Sequence, residues 1–238
     1  MTAYTVTGTT TNNTFGGGLL QVEVLDNAAL AGTPATATSA TAYNCSITTT
    51  VTGSMVFGSV SNLSANATFT AESGTTILTD FADTTHTAEY GSFRTTSTTG
   101  TPGPTTVWSS TTFNTNYGCC ALEILASGGT LTIDGSSPAA VDSATLTSLT
   151  TASFTPPGGT LLVAMLVTDG AFSGTQVATV SSVPALTWTE RINVNAAEAG
   201  LSGYLGVWTA TVPAAVTVTP PSWAQRVAVV PFSADVIM

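Results

Sequence analysis

The chain has 238 residues, which is enough for one large β domain or for two units of about 110 residues each. Only 7% of the residues are charged and threonine makes up roughly a fifth, so neutral hydroxyl groups must form much of the exposed surface. There is no lysine, and three arginines stand against 13 acidic residues for a formal net charge of -10. Such a chain would be repelled by phosphate backbones, which excludes nucleic-acid binding as its main function.

The N-terminus has neither a basic segment nor an apolar stretch of signal-peptide length. The longest apolar run is shorter than the roughly 20 residues that a membrane-spanning helix needs. We therefore expect synthesis in a cytoplasm without a classical export signal, and we expect no membrane partner.

The first half of the chain predicts short strands separated by glycine- and proline-rich turns. Residues 1–18 are rich in Thr and Asn and end in three glycines. Residues 20–24 alternate between apolar and polar side chains, which predicts a half-buried strand. Residues 53–60 predict a central strand, and residues 119–125 predict the strand that closes the unit. The stretch 126–129 (Ala-Ser-Gly-Gly) is the best predicted domain boundary.

The second half repeats the order of these signals. Residues 161–167 (Leu-Leu-Val-Ala-Met-Leu-Val) form an unbroken apolar run between turn signals, which predicts a strand buried on both faces. We take this run as the counterpart of residues 53–60. The sequence therefore predicts an all-β protein of two tandem β-sandwich, jelly-roll-like domains, residues 1–126 and 130–238. An immunoglobulin-like sandwich is the alternative topology.

The cysteines are sparse and odd in number, three in all, which is not the pattern of a disulfide framework. Cys119 and Cys120 are neighbours in a predicted strand, so they point to opposite faces and at most one is expected in the core. We interpret the cysteines as small buried hydrophobic residues. A bridge from Cys45 to Cys119 or Cys120 is the alternative, and a reactive thiol is a third reading, although His86 lies far away in sequence.

One stretch concentrates side chains that could ligate a cation. Asp80, Asp83, His86 and Glu89 follow one another at intervals of three residues. Carboxylate oxygens on a loop could hold a cation. A solvated acidic turn is the favoured interpretation, so we predict neither a metal nor a cofactor.

No set of residues predicts catalysis. The chain has a single histidine and no lysine to activate a nucleophile, and nothing in the sequence places two carboxylates together. Trp108 and Trp223 occupy equivalent places near proline-rich turns. They could stack on sugars or anchor a protein partner, and packing over the open end of a sandwich is the alternative.

One pattern of short strands recurs in segments 24–30, 53–58, 118–124, 159–163, 186–189 and 207–210. These segments resemble Thr/Gly-rich β-sandwich proteins encoded among the virion genes of tailed bacteriophages. The resemblance implies a structural role in the virion and no catalytic residues.

Three functions follow, in order of preference. The first is a non-enzymatic phage structural protein, chiefly a capsid decoration or minor head protein and next a tail accessory protein. It would form homo-oligomers and contact capsid or tail subunits through neutral β surfaces. The second is a carbohydrate-binding or adhesion module that uses Trp108 and Trp223 to bind surface glycans. The third is a hydrolase with a shallow cleft.

Overall fold

The computed structural model describes residues 1–11, 17–39, 44–62, 69–96, 104–109, 117–170, 176–198 and 201–214. All the regular secondary structure in these ranges is β, in sixteen strands. The predicted all-β class is therefore confirmed. It follows from a chain in which β-branched and small residues dominate.

The strands follow the chain in this order: β1 Thr5–Thr11, β2 Gly18–Asp26, β3 Ala28–Ser39, β4 Asn44–Thr48, β5 Met55–Asn62, β6 Thr75–Asp83, β7 Ala88–Thr95, β8 Pro104–Ser109, β9 Tyr117–Ala126, β10 Thr132–Ile133, β11 Val141–Ser143, β12 Ser148–Thr150, β13 Leu161–Gly170, β14 Val177–Val183, β15 Thr189–Glu198 and β16 Leu201–Thr211.

These strands form four antiparallel sheets. A three-stranded sheet has the order β12-β1-β14, and a six-stranded sheet has the order β10-β2-β13-β16-β15 with β11 also paired to β2. A five-stranded sheet has the order β3-β9-β5-β7-β6, and β4 pairs with β8. The strands that the sequence marked as central are central: β13 lies between β2 and β16, and β5 lies between β9 and β7.

Strand β13 is apolar from Leu161 to Val167 because both of its faces are covered. Leu161, Val163, Met165 and Val167 point into a core shared with the five-stranded sheet. The alternate residues Leu162, Ala164 and Leu166 point into a core shared with the three-stranded sheet. The predicted burial of residues 161–167 on both faces is confirmed.

Three apolar cores join the four sheets into layers. The core between the five- and six-stranded sheets includes Phe57, Tyr90 and Leu122 together with the first face of β13. A second core lies between the six- and three-stranded sheets, and a third lies between the five-stranded sheet and the β4–β8 pair. The central strands of the two larger sheets are therefore covered on both faces.

The close approach of β5 to its neighbour β9 in the same sheet requires a glycine in β5. A Cβ atom on Gly58 would lie 2.1 Å from the carbonyl oxygen of Cys120 and 2.5 Å from Cζ of Phe93. Any larger residue would force β5 and β9 apart.

The division into tandem domains is not confirmed. Strand β1 pairs with β12 and β14, and β2 pairs with β10, β11 and β13, all of which follow residue 130. The two halves of the chain therefore share sheets among the described residues.

Residues 20–24 form a strand as predicted, but the prediction that this strand is only half buried is wrong. Every residue of β2 from Gly18 to Leu25 is buried, because the six-stranded sheet lies between two others. The polar residues Gln21 and Glu23 alternate with apolar ones, but they face a buried hydrogen-bond network instead of solvent.

The cysteines also depart from their preferred interpretation. Cys45 and Cys119 form a disulfide between β4 and β9, across a sequence separation of 74. Cys120 is free and buried on the opposite face of β9. Both neighbours are buried because both faces of β9 are covered, which corrects the expectation that only one would enter the core.

Candidate functional site

Trp108 and Trp223 are the two binding residues that the sequence predicts. Trp108 lies in β8, where its backbone is opposite Cys45. The position of its side chain lies outside the description, as does all of Trp223. Their use as stacking platforms stays a prediction.

The acidic stretch forms the end of β6 and the turn into β7. The carboxylate of Asp83 accepts hydrogen bonds through Oδ1 from the backbone N–H groups of Thr85 (2.9 Å) and His86 (3.1 Å). An aspartate that caps the following backbone in this way stabilises a turn. The solvated acidic turn predicted here is wrong for Asp83, because its side chain is fully buried.

A third residue from a distant strand completes the cluster. Asp169 lies near the end of β13, and one potential ligand atom from each of Asp83, His86 and Asp169 lies within 4.8 Å of the others. Nδ1 of His86 is 2.8 Å from Oδ2 of Asp83. Asp83 and His86 are thus brought together as two of the four predicted ligand-type residues. Asp80 and Glu89 do not join this cluster.

The main chain around residue 17 closes over the cluster. The backbone N–H of Asp169 donates to the carbonyl oxygen of Gly17 (3.3 Å). Gly17 has a φ of 106°, and a Cβ at this position would lie 2.8 Å from Oδ2 of Asp83. Only glycine combines this backbone conformation with so close an approach to the carboxylate.

A tyrosine hydroxyl lies beside the two carboxylates. The Tyr90 hydroxyl donates to Oδ2 of Asp83 at 3.3 Å. Burial, together with the nearby charges of Asp169 and Asp83, raises the pKa of Tyr90. The phenol therefore remains protonated and acts as a hydrogen-bond donor at neutral pH.

The two arginines that the structure describes make their polar contacts elsewhere. Arg94 donates from Nη1 to Oε2 of Glu23 (2.9 Å), and Arg191 donates from Nε to Oγ1 of Thr209 (2.8 Å). With no lysine in the chain, His86 is the one basic side chain that the described residues place in the cluster.

A separate buried network links β2 to the five-stranded sheet. Gln21 donates to Glu23 (3.0 Å) and accepts from Thr79 (3.1 Å), while Glu23 also accepts from Arg94. Burial raises the pKa of Glu23, and the Arg94 and Gln21 contacts oppose that rise only in part. This network satisfies the polar groups between the two sheets and offers no open site.

A third carboxylate organises the segment before β5. Glu123 accepts from the backbone N–H groups of Thr50 (2.7 Å) and Val51 (3.2 Å) and from the hydroxyls of Thr50 (2.8 Å) and Ser54 (2.7 Å). Burial opposes ionisation, but the hydrogen bonds outweigh it and lower the pKa of Glu123. Its role is to hold the backbone in place.

The remaining thiol is not activated. Cys120 is buried, and burial raises the pKa of its thiol to about 11. A thiol that stays protonated at neutral pH is a poor nucleophile. The geometry therefore gives no support to a reactive cysteine.

A shallow hollow of about 250 Å³ lies beside β15 and β16. Its polar lining comes from Gln176, Glu190, Asn193, Asn195 and Tyr204. Glu190 accepts hydrogen bonds from Nδ2 of Asn193 and from the hydroxyl of Tyr204. Side-chain amides and a carboxylate around an open hollow are groups that can hydrogen-bond a sugar.

Comparisons with protein-family models, with curated proteins and with solved structures find no match to the chain. Within the described ranges, no helix has the length and hydropathy required to cross a membrane.

Proposed function

We propose that this protein is a non-enzymatic structural component of a tailed-phage virion, chiefly a capsid decoration or minor head protein, with a tail accessory role as the alternative within that class. It would bind capsid or tail subunits, and copies of itself, through neutral β surfaces. The observation that carries the proposal is the uncharged outer face and open edge of the three-stranded sheet. The proposal does not depend on the predicted tandem division of the chain.

The outer face of this sheet consists of hydroxyl and valine side chains without a single charge. Its members are Thr5, Thr7, Thr9, Thr11, Ser148, Thr150, Val177, Thr179, Ser181 and Val183. Hydroxyl pairs link the strands at Thr7–Thr150 (2.8 Å) and Thr9–Ser148 (3.0 Å). A face of this kind can dock without desolvating charges, and its binding would depend little on salt.

Strand β14 gives the sheet an open edge. Among the described residues it pairs with β1 alone, in a register without a bulge. It contains neither a charged residue nor a proline, and Val177 and Val183 are 54% and 73% exposed. Monomeric proteins usually protect such edges with lysine, proline or a bulge, so an unprotected edge favours pairing with another chain.

The size of this face argues for many copies on one particle. Two strands of seven residues and one of three form this face, which covers roughly 250 Å². A stable pairwise interface buries about 800 Å² on each partner. One face would therefore bind weakly, whereas a protein displayed repeatedly on a lattice gains from multivalency.

The disulfide fits residence on a particle that leaves the cell. Disulfides persist in oxidising surroundings, including virion surfaces, and are rare in the cytosol. The Cys45–Cys119 bridge is thus compatible with a chain that is oxidised after the particle is released.

The test places a charge on the proposed face. Thr179→Lys adds a charged side chain at the centre of the outer face of β14, and Ser73→Lys adds the same group at an exposed turn of the five-stranded sheet. We expect wild type and Ser73→Lys to self-associate in sedimentation velocity and to co-sediment with virions that carry the protein, and Thr179→Lys to do neither. Absence of the protein from purified virions by mass spectrometry, or a monomeric wild type with no affinity for particles, would refute the proposal.

Carbohydrate binding is the second candidate, and the hollow beside Glu190 is the observation that favours it. A glycan array should show binding that is lost in Asn193→Ala. The double variant Trp108→Ala/Trp223→Ala tests the tryptophans separately. Absence of any glycan signal from the wild type would dismiss this candidate.

A further inference from the structure

We propose that Asp83, His86 and Asp169 bind one divalent transition-metal ion, with Zn²⁺ as the best fit. Asp83 and His86 belong to the β6–β7 hairpin of the five-stranded sheet, and Asp169 belongs to β13 of the six-stranded sheet. The ion would connect the two largest sheets. This site is independent of the role in a virion.

The separations suit one ion. Ligand atoms that lie about 2.0–2.2 Å from a tetrahedral zinc ion are roughly 3.3–3.5 Å apart, so an ion would draw atoms up to about 4.8 Å apart inward by no more than about 1.5 Å. Nδ1 of His86 and Oδ2 of Asp83 are 2.8 Å apart, and the three ligand atoms lie within 4.8 Å of one another. A small movement of the imidazole would replace its hydrogen bond to Asp83 with a shared ion.

The carboxylate of Asp83 is already fixed for this role. Its Oδ1 accepts the backbone N–H groups of Thr85 and His86, which leaves Oδ2 directed at the cluster. Tyr90 donates to the same Oδ2, as a supporting residue commonly does for a carboxylate ligand.

Charge is a separate argument for a cation. Asp83 is 0% exposed and Asp169 is 5% exposed, so two carboxylates lie close together away from solvent. Buried charges of like sign require a compensating positive charge. Among the described residues, Arg94 and Arg191 make their polar contacts with Glu23 and Thr209, so His86 is the one basic side chain beside the two carboxylates. A divalent ion bound by all three side chains would compensate both carboxylates.

The ligand types select the ion. Calcium prefers six to eight oxygen ligands, whereas an imidazole nitrogen with two carboxylates suits zinc, with water in the fourth position. His86 is the one histidine of the chain. Cys45 and Cys119 are bonded to each other and Cys120 is buried in a core, so the thiols do not compete.

The test uses tag-free, chelator-treated protein with its disulfide intact. We expect isothermal titration with ZnCl₂ to show one equivalent bound. The melting temperature should rise by about 5–10 °C when free zinc exceeds the Kd a hundredfold. Asp169→Asn and His86→Gln should each weaken binding at least about 100-fold, whereas the exposed Asp142→Asn should bind as the wild type does.

A spectroscopic measurement makes the result independent of the variants' stability. In ¹⁵N NMR of the wild type, the single histidine should show a zinc-dependent shift of Nδ1 that saturates at one equivalent. The proposal is overturned if the wild type takes up no zinc, if the His86 signal does not respond, if Asp142→Asn loses binding equally, or if Ca²⁺ binds in preference to Zn²⁺.

Discussion

Replacement of Glu123 tests whether one ionised carboxylate holds the segment before β5. Its Oε1 accepts three hydrogen bonds, from Thr50 N, Val51 N and Ser54 Oγ, and its Oε2 accepts one from Thr50 Oγ1. Glu123→Gln keeps an oxygen for the Oε1 partners but removes the charge that strengthens them. Glu123→Ala removes all four contacts and leaves two backbone N–H groups without this acceptor.

The expected magnitudes follow from the strength of these contacts. Hydrogen bonds to a charged acceptor contribute about 1.5–3 kcal/mol each, and a buried group left unsatisfied costs about 1–3 kcal/mol. We expect Glu123→Gln to lower the free energy of unfolding by about 2 kcal/mol at pH 7. Glu123→Ala should lower it by about 4 kcal/mol, because it removes all four contacts together with buried side-chain volume.

The effect must depend on pH with a definite sign. The pKa of Glu123 is lowered in the folded protein, below the 4.5 of an unperturbed glutamate. The unfolded chain therefore binds the proton first as pH falls, so the stabilisation is complete above about pH 5 and is lost as pH falls through the folded pKa. The glutamine variant has no proton to bind, so its deficit relative to wild type should shrink in acid.

Urea unfolding at pH 7, 5 and 3.5 measures this difference. Glu72→Gln, a substitution of the same type at a partly exposed position, is the control and should change stability by less than about 0.5 kcal/mol. If Glu123→Gln is as stable as wild type at pH 7, or if its deficit is the same at all three pH values, the assigned role is incorrect.

Two further predictions concern the packing around β9. Cys45→Ala/Cys119→Ala opens a loop that the bridge closes across 74 residues, and loop-closure entropy predicts that the free energy of unfolding falls by about 4.5 kcal/mol. Reductant should lower the melting temperature of the wild type and leave that of the variant unchanged. An equal response of both proteins would count against the bridge. Gly58→Ala should lower the free energy of unfolding by about 3 kcal/mol or more, because its Cβ would lie 2.1 Å from backbone. Chemical denaturation compares it with Gly135→Ala, whose Cβ would meet nothing within 4 Å, and equally small losses of stability in both variants would contradict the prediction.

The central strands could be predicted from the sequence because their consecutive residues are apolar. In an all-β chain, an apolar run such as 161–167 indicates a strand whose two faces are both buried. Strand β2 could not be predicted in the same way. Its alternation imitates a half-exposed strand, since Gln21 and Glu23 are polar, and only the positions of Thr79 and Arg94 reveal that these groups are satisfied inside the protein.

The pairing of strands that are distant in sequence could not be predicted from local sequence patterns. The apparent repeat placed β1 and β2 in a first domain, whereas they pair with β12, β13 and β14. The partner of Cys45 and the addition of Asp169 to Asp83 and His86 depend on the same long-range topology. Local spacing identified two members of that cluster, and the third is separated from them by more than eighty residues.

Three of the buried carboxylates, Glu23, Asp83 and Asp169, have a common placement, which follows from the layered architecture. Glu23 of β2 contacts Arg94 of β7, and Asp83 of β6 lies beside Asp169 of β13, so both sets join the five-stranded sheet to the six-stranded one. Apolar faces of sheets can slide over one another at little cost, whereas a buried charge is tolerated only opposite its partner. In a chain with 7% charged residues, these contacts can therefore fix how the sheets align, while the outer hydroxyl faces remain neutral and available for docking.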